Sequence, residues 1–509
     1  MAFLLHDLLR ETAGRTPDAT ALIAGNARRS FAALDAESDA LAHTLQELGI
    51  VRGDRVAVML DNSVDYVAAL FGILKAGGVY VPVNPSTRPD KLAFLLADCG
   101  VKALFTAATL ARVVLPALPQ APSVGSVVWV GRELPPGATA TDRLYADAVA
   151  GGGRPAEVGG IDGDLAVIAY TSGTTGVPKG VMLTHANQIA ATRAIAGYLG
   201  NRPDDVVLCV LPLTFGYGLS QVLTAALVGF TLVLERSFAF PAETLGRMVE
   251  HRVTGLPGVP TIFSTLLGLD ALATADLSSL RYITNAAAPL SPAHLRRLTE
   301  RFPNAAFYSM YGATECATRI SFLDPARLAD KPGSVGKAMP DCEAWIIDED
   351  GRPAAPGVVG ELVVRGANVM RGYWNQPEET ARRLRDGVFH TGDLFRADED
   401  GFLHFVGRKD DMFKCRGEKV SPKEVEAALY ELPGIAEAAV LGVPDTADGM
   451  AVKAFIVPRE GAEVTEAAIR QHCRGRLEGH LVPKFIEFRA ELPKTDSGKV
   501  RRFLLAETV

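Results

Sequence analysis

Short apolar runs alternate with amphipathic stretches through the first half of the chain, and this rhythm limits the possible folds more than any other feature. Arg55-Val-Ala-Val-Met-Leu60 reads as a strand, Val64 to Lys75 as a helix ending at Gly77-Gly78, and Val79-Tyr-Val-Pro-Val83 as the next strand. Further strands are expected at Leu165 to Tyr170, Val206 to Leu211 and Thr231 to Leu234. Continuous apolar strands separated by helices imply parallel sheets covered on both faces.

At 509 residues the chain exceeds what one ordinary core supports, so several lobes are expected. From about Gly360 the texture changes to short alternating strands, Glu361-Leu-Val-Val-Arg365 and then Gly401-Phe-Leu-His-Phe-Val406. Beyond the charged stretch Gly407-Arg-Lys-Asp-Asp411 comes a unit of about a hundred residues, the size of a small domain. Helices are expected there at Pro422 to Leu432 and Glu466 to Leu477, with strands at Ala438 to Val443 and Ala451 to Val457. The expected class is α/β: a large N-terminal domain of stacked, mostly parallel sheets flanked by helices, with a small α+β C-terminal domain. The division falls at 1–407, a linker at 408–411, and 412–509.

A net charge of −7 provides no polybasic footprint for nucleic acid. The start, Met1-Ala-Phe-Leu-Leu-His-Asp, lacks the basic residues and apolar run of a signal peptide. Apolar stretches such as Val222 to Leu234 are too short for a membrane span. Six scattered cysteines show no metal-ligand spacing, so buried thiols and a cytoplasmic location are expected.

Tyr170-Thr-Ser-Gly-Thr-Thr-Gly-Val-Pro-Lys-Gly180 is the most informative segment. Its glycines let the backbone turn tightly and expose N–H groups. Thr171, Ser172, Thr174 and Thr175 supply hydroxyl donors and Lys179 a positive charge, a set suited to polyphosphate. The Walker spacing is absent, so this is a different phosphate loop.

At this loop the sequence resembles the adenylate-forming superfamily, which includes acyl-CoA synthetases, stand-alone adenylation domains and beetle luciferases. The resemblance runs in order through Gly72 to Pro85, Asn285-Ala-Ala-Ala-Pro-Leu290, Tyr311-Gly-Ala-Thr-Glu315 and Gly360-Glu-Leu-Val-Val-Arg-Gly. It continues with Gly372-Tyr-Trp-Asn, Thr391-Gly-Asp393, Gly407 to Gly417 and Pro493-Lys-Thr-Asp-Ser-Gly-Lys499.

The resemblance implies that a carboxylate attacks the α-phosphate of ATP, pyrophosphate leaves, and the acyl group then passes to a thiol. Two anions must meet, so charge neutralisation and positioning matter most. By resemblance, Thr171, Ser172, Gly173, Thr174, Thr175 and Lys179 hold the β- and γ-phosphates. Glu315 is implied as the Mg²⁺ ligand, Thr314 as a contact of the α-phosphate, Tyr311 as stacked near adenine, and Asn285 and Ala286 on the base. Asp393 would hold the ribose with help from Arg408, and Lys499 is implied as the catalytic lysine at the carboxylate and α-phosphate. Asp410 occupies the hinge position about which the small domain swings, making that domain mobile and bringing Gly417 to the thiol channel.

Leu211-Pro-Leu-Thr-Phe-Gly-Tyr-Gly218 corresponds to the acid-pocket segment of the family, so Phe215, Gly216, Gly218 and Gly258 are the expected pocket residues. Gly216 stands where amino-acid-activating relatives often have Asp, which leaves an ammonium group uncompensated. An uncharged fatty or aryl acid is therefore expected, with the small side chains leaving room for it. The segment after Lys499 is too short for a fused carrier domain, so the expected acceptor is either CoA, which is preferred, or a separate carrier protein. The alternative is a stand-alone adenylation enzyme that loads a fatty, aryl or β-amino acid onto the phosphopantetheine of a separate carrier protein.

Overall fold

The computed structural model describes residues 3–171, 178–288, 290, 292–415, 418–445, 449–494 and 500–506. Among them, two large sheets form the N-terminal body. One has eight strands and runs from Gly372–Tyr373 through Lys179–Thr184, Leu165–Thr171, Val79–Pro82, Arg55–Met59, Ala103–Ala107 and Ser126–Val130 to Arg143–Leu144. The other has nine strands, with Ala306–Tyr311, Tyr282–Asn285, Gly255–Gly258, Val206–Cys209, Thr231–Leu234 and Thr20–Ala24 successively parallel.

The parallel strands form where apolar runs were expected, because a strand buried on both faces needs no polar alternation. Val56 to Met59 and Val207 to Cys209 are fully buried. Between them lie helices such as Val64–Lys75, which Ser63 caps by accepting a hydrogen bond from the Tyr66 N–H at 3.1 Å.

A third, antiparallel sheet forms from about Cys342 onward and takes in the alternating strands expected near Glu361 and Leu403. It pairs Cys342–Ile347, Gly360–Gly366, Val388–Ala397 and Leu384–Arg385, with Leu403–Arg408 on Val388–Ala397. Its last strand ends at Arg408, a one-turn helix follows at Lys409–Asp411, and Phe413–Cys415 then starts a hairpin with Glu418–Val420. The apolar cores divide at the same place: the large core takes in Leu403 and Phe405, whereas Phe413, Cys415 and Val420 join a separate cluster with Val425, Val440 and Ile469. Helices Pro422–Tyr430 and Glu466–Arg474 and strands Ile435–Asp445 and Gly449–Pro458 form as expected, give or take their ends. The strand Phe485–Phe488, parallel to Gly449–Pro458, has no counterpart in the expected pattern. No helix among the described residues is long and apolar enough to cross a membrane.

Candidate active site

The loop Tyr170–Gly180 joins two antiparallel neighbours, Leu165–Thr171 and Lys179–Thr184, with Thr171 opposite Lys179. Thr171 Oγ1 donates to the Lys179 carbonyl at 3.5 Å. Ser172, Gly173, Thr174 and Thr175 lie outside the described residues. Lys179 is mostly buried, with Nζ 2.5 Å from Glu379 on the helix Pro377–Arg383 and 5.6 Å above the Tyr373 ring. Burial alone would raise the Glu379 pKa, but hydrogen bonds from Lys179 and Arg382 hold it below the ordinary value.

Tyr373 ties this lysine to the next candidate. Its hydroxyl donates to Glu315 Oε1 at 2.9 Å, and burial pushes that phenol's pKa up, so it stays a donor. Glu315 sits in the one-turn helix Thr314–Cys316, directly after the strand Ala306–Tyr311. Lys179 and the Glu315 carboxylate are thus bracketed by one tyrosine.

The second cluster gathers residues from three strands. Tyr311 donates to Asp393 Oδ2 at 2.6 Å, while Arg408 Nε donates to Oδ1 at 2.9 Å. The register of the third sheet, Asp393 opposite Arg408, places that pair. Tyr311 lies edge-on to Phe395, ring centroids 4.8 Å apart. At the end of Tyr282–Asn285, Asn285 is 2% exposed; its Nδ2 donates to the Ala288 carbonyl, but its Oδ1 has no partner among the described residues. A buried acceptor without a donor suits the exocyclic amine of adenine. Ala286 beside it is buried, and Ala287 bends the chain at φ +70°.

The family model described as AMP-binding enzyme matches residues 9–374, and that of the AMP-binding enzyme C-terminal domain matches 424–499. The chain belongs to the AMP-binding enzymes. It is 36% identical to the long-chain-fatty-acid–CoA ligase of Bacillus subtilis (strain 168) over 530 residues, covering 99% of this chain and 94% of the relative. A feruloyl-CoA synthase of Amycolatopsis sp. is 36% identical over 487 residues, covering 95% of each. The crystal structure of the anthranilate CoA ligase AuaEII in complex with anthranoyl-AMP superposes with a TM-score of 0.92 at 27% identity, covering 99% of this chain and 97% of that one. This AMP-binding enzyme is an AMP-forming acyl-CoA ligase with a carboxylic acid, ATP and CoA as reactants.

In the AMP-binding enzyme the segment expected to line the acid pocket opens the helix Gly216–Val228, with Phe215 at its N-cap. The three glycines do not face open space. A Cβ at Gly216 would run into the Thr318 hydroxyl, one at Gly218 into the Pro212 carbonyl, and one at Gly258 would lie 2.5 Å from the Phe263 ring. Glycine at these sites lets protein segments approach one another where a Cβ would clash.

Asp410 lies in the turn Lys409–Asp411, whereas Gly417 and Lys499 are outside the described residues. Two contributors escaped the sequence reading. Tyr373 stands in the quoted motif Gly372-Tyr-Trp-Asn, whose spacing was the available signal; Glu379 carries no local signal, because its partner Lys179 is 200 residues away.

Proposed function

We propose that this ligase activates a fatty or aryl acid as its acyl-AMP and then forms the acyl-CoA thioester. The supporting observation is the joining of the Lys179–Tyr373–Glu315 group to the Tyr311–Asp393–Arg408 group through the short segment Tyr311 to Glu315, with Asn285 Oδ1 unpartnered among the described residues at the end of the neighbouring strand. In this reading the first group receives the phosphates and the second the ribose, with Asn285 and Ala286 on adenine. Thr171 and Ser172 to Thr175 complete the phosphate loop, and Thr314 meets the α-phosphate.

The donor set fits Mg²⁺. Glu315 is a hard carboxylate, and among the described residues no group of three or more His, Cys, Asp or Glu side chains could cage a metal. One carboxylate plus phosphate oxygens is the usual Mg²⁺ arrangement. Bound there, the ion would offset phosphate charge. The protein's own part is positioning: the acid carboxylate oxygen attacks the α-phosphorus, the bond to the bridging oxygen breaks, and pyrophosphate carries away the electron pair. Lys499 would offset charge at that step. The CoA sulfur then attacks the acyl carbon and AMP leaves.

Transfer would follow rotation of domain 412–509 about the linker 408–411 at Asp410, presenting Gly417 to the thiol. Phe215, Gly216, Gly218 and Gly258 would frame the acid. CoA is favoured over a carrier-borne phosphopantetheine because the relatives are named CoA ligases and synthases. ATP and CoA as substrates fit a cytoplasmic enzyme. The test is ATP–pyrophosphate exchange over fatty, aryl, α-amino and β-amino acids, followed by addition of CoA. Exchange confined to amino acids, or no acyl-CoA from the best acid, would refute this reading.

A further inference from the structure

A cleft of about 500 Å³ opens at the end of the eight-stranded sheet opposite to the phosphate loop. Leu165 lines it, whereas Thr171, at the other end of the same strand, begins the loop. A strand of that length keeps the two about 20 Å apart. His185, directly after the strand Lys179–Thr184, also lines the cleft, so Lys179 and His185 mark opposite ends of one element. A cleft of this volume is large enough for a small organic molecule.

The inner wall is apolar. Leu74 and Val79 are buried there, with Leu4 and Leu165 half-buried beside them. His185 accepts the Leu5 N–H on Nδ1 at 3.0 Å, which leaves Nε2–H as the donor of its neutral ring. The outer edge is charged. Arg52 holds Asp164 through two hydrogen bonds of 2.8 Å, and Asp164 also accepts the Ile161 N–H at 3.0 Å. That carboxylate is already matched, so a cationic ligand gains little from it. The Arg371 guanidinium is exposed, donates to the Gly163 carbonyl at 3.4 Å, and pairs with no carboxylate among the described residues. The unmatched charge at the mouth is therefore positive.

The surface around the mouth is apolar as well. Phe3 at 66%, Val51 at 62% and Ile161 at 61% are three of the four most exposed large apolar side chains among the described residues. They are the chain neighbours of Leu4, Arg52 and Gly160, all of which line the cleft. Apolar side chains gathered at one place on a surface mark binding sites, whereas scattered ones do not.

We propose that this cleft is a second binding site, for a small organic anion whose apolar body lies against Leu74, Val79 and Leu165 and whose charge meets Arg371. It stands apart from the site of acyl-AMP formation and does not rest on the ligase reading.

The test is a fluorescence titration with 8-anilinonaphthalene-1-sulfonate, an apolar anion without a carboxylate to activate. Arg371→Gln should weaken its binding by about tenfold or more, and Arg371→Lys should recover part of the loss. Gly159 lines the cleft, and a Cβ there meets nothing within 4 Å, so Gly159→Trp should fold and obstruct the mouth. That variant should weaken binding as well, and thermal melting like that of wild type would show that each variant is folded. N-phenyl-1-naphthylamine, the uncharged counterpart, should bind more weakly than the sulfonate and be insensitive to Arg371→Gln. Sulfonate binding unchanged in both Arg371→Gln and Gly159→Trp would overturn the proposal, because dye held in the acid pocket is untouched by either variant. Equal binding of the charged and uncharged dyes would overturn the anionic ligand.

Discussion

Lys179 and Glu379, 200 residues apart in sequence, meet with Nζ 2.5 Å from Oε1, both side chains largely shielded from water. Arg382 also binds Glu379, at 2.7 Å, so one carboxylate counters two cations beside the strand Lys179–Thr184. Glu379→Gln should strip that counter-charge and cost about 1–3 kcal/mol of stability, below the cost for a fully buried pair. Bound ATP would replace the missing charge. The urea midpoint gap between wild type and variant should therefore shrink at saturating ATP; an unchanged gap would place the pair outside the phosphate site.

Asp393 accepts from two donors of different kinds, the neutral Tyr311 hydroxyl and the Arg408 guanidinium. Burial pushes the Tyr311 phenol well above its ordinary pKa, and Asp393 adds to the shift, so the tyrosine remains a donor at any working pH. Asp393→Asn keeps the shape but loses the charge. Loss of a charged hydrogen-bond acceptor is worth about 1.5–3 kcal/mol, or roughly 10–150-fold in AMP affinity. Calorimetric titration with AMP checks this, and an affinity within about twofold of wild type would remove Asp393 from the ribose role.

The parallel strands could be read in sequence because Val56 to Met59 and Leu232 to Leu234 are buried on both faces and so need no alternation. The edge pieces could not. Ser321–Phe322, Lys337–Ala338 and Gly372–Tyr373 are two-residue strands that exist only through their neighbours, and two residues carry no period. The site divides in the same way. Glu315 and Asp393 lay in motifs, whereas Tyr373 and Glu379 join the candidate site through contacts across the fold. Gly216 and Gly258 were legible as missing side chains, but sequence cannot say which way an absent Cβ points.

His6 and His185 make a pH dependence of stability. Their rings lie 6.4 Å apart, and His185 Nδ1 accepts from the Leu5 N–H at 3.0 Å. Burial lowers both from 6.5 to about 4, only partly opposed by Asp7 for His6 and by Asp164, Asp7 and Asp162 for His185. Folded-state values below the unfolded ones mean that the unfolded chain binds more protons between about pH 4 and 6.5. Stability should be level above pH 6.5 and fall below it, by about 2 kcal/mol per imidazole at pH 5. Urea midpoints at pH 7 and 5 for wild type and a His6→Asn/His185→Gln variant test this. The variant should lose less on acidification; equal losses would show that other groups set the slope.

The turn at Lys409–Asp411 is anchored on both sides. Lys409 Nζ reaches Glu361 of the third sheet at 3.2 Å, and Asp411 pairs with Arg502 of the C-terminal unit at 2.6 Å. The Met412 N–H closes the turn on the Arg408 carbonyl at 3.2 Å. A swing centred on Asp410 would therefore turn between two held shoulders, Lys409 and Asp411. Asp410→Pro locks φ near −65° there and also restricts Lys409. ATP–pyrophosphate exchange should persist, since adenylation needs no swing, while transfer from acyl-AMP to CoA should fall by about 100-fold or more, as for other lost conformational steps. Both half-reactions should be timed separately, by exchange and by mixing preformed acyl-AMP with CoA. Equal retention of the two would move the hinge away from Asp410, and equal loss would mean that the substitution damages the turn itself.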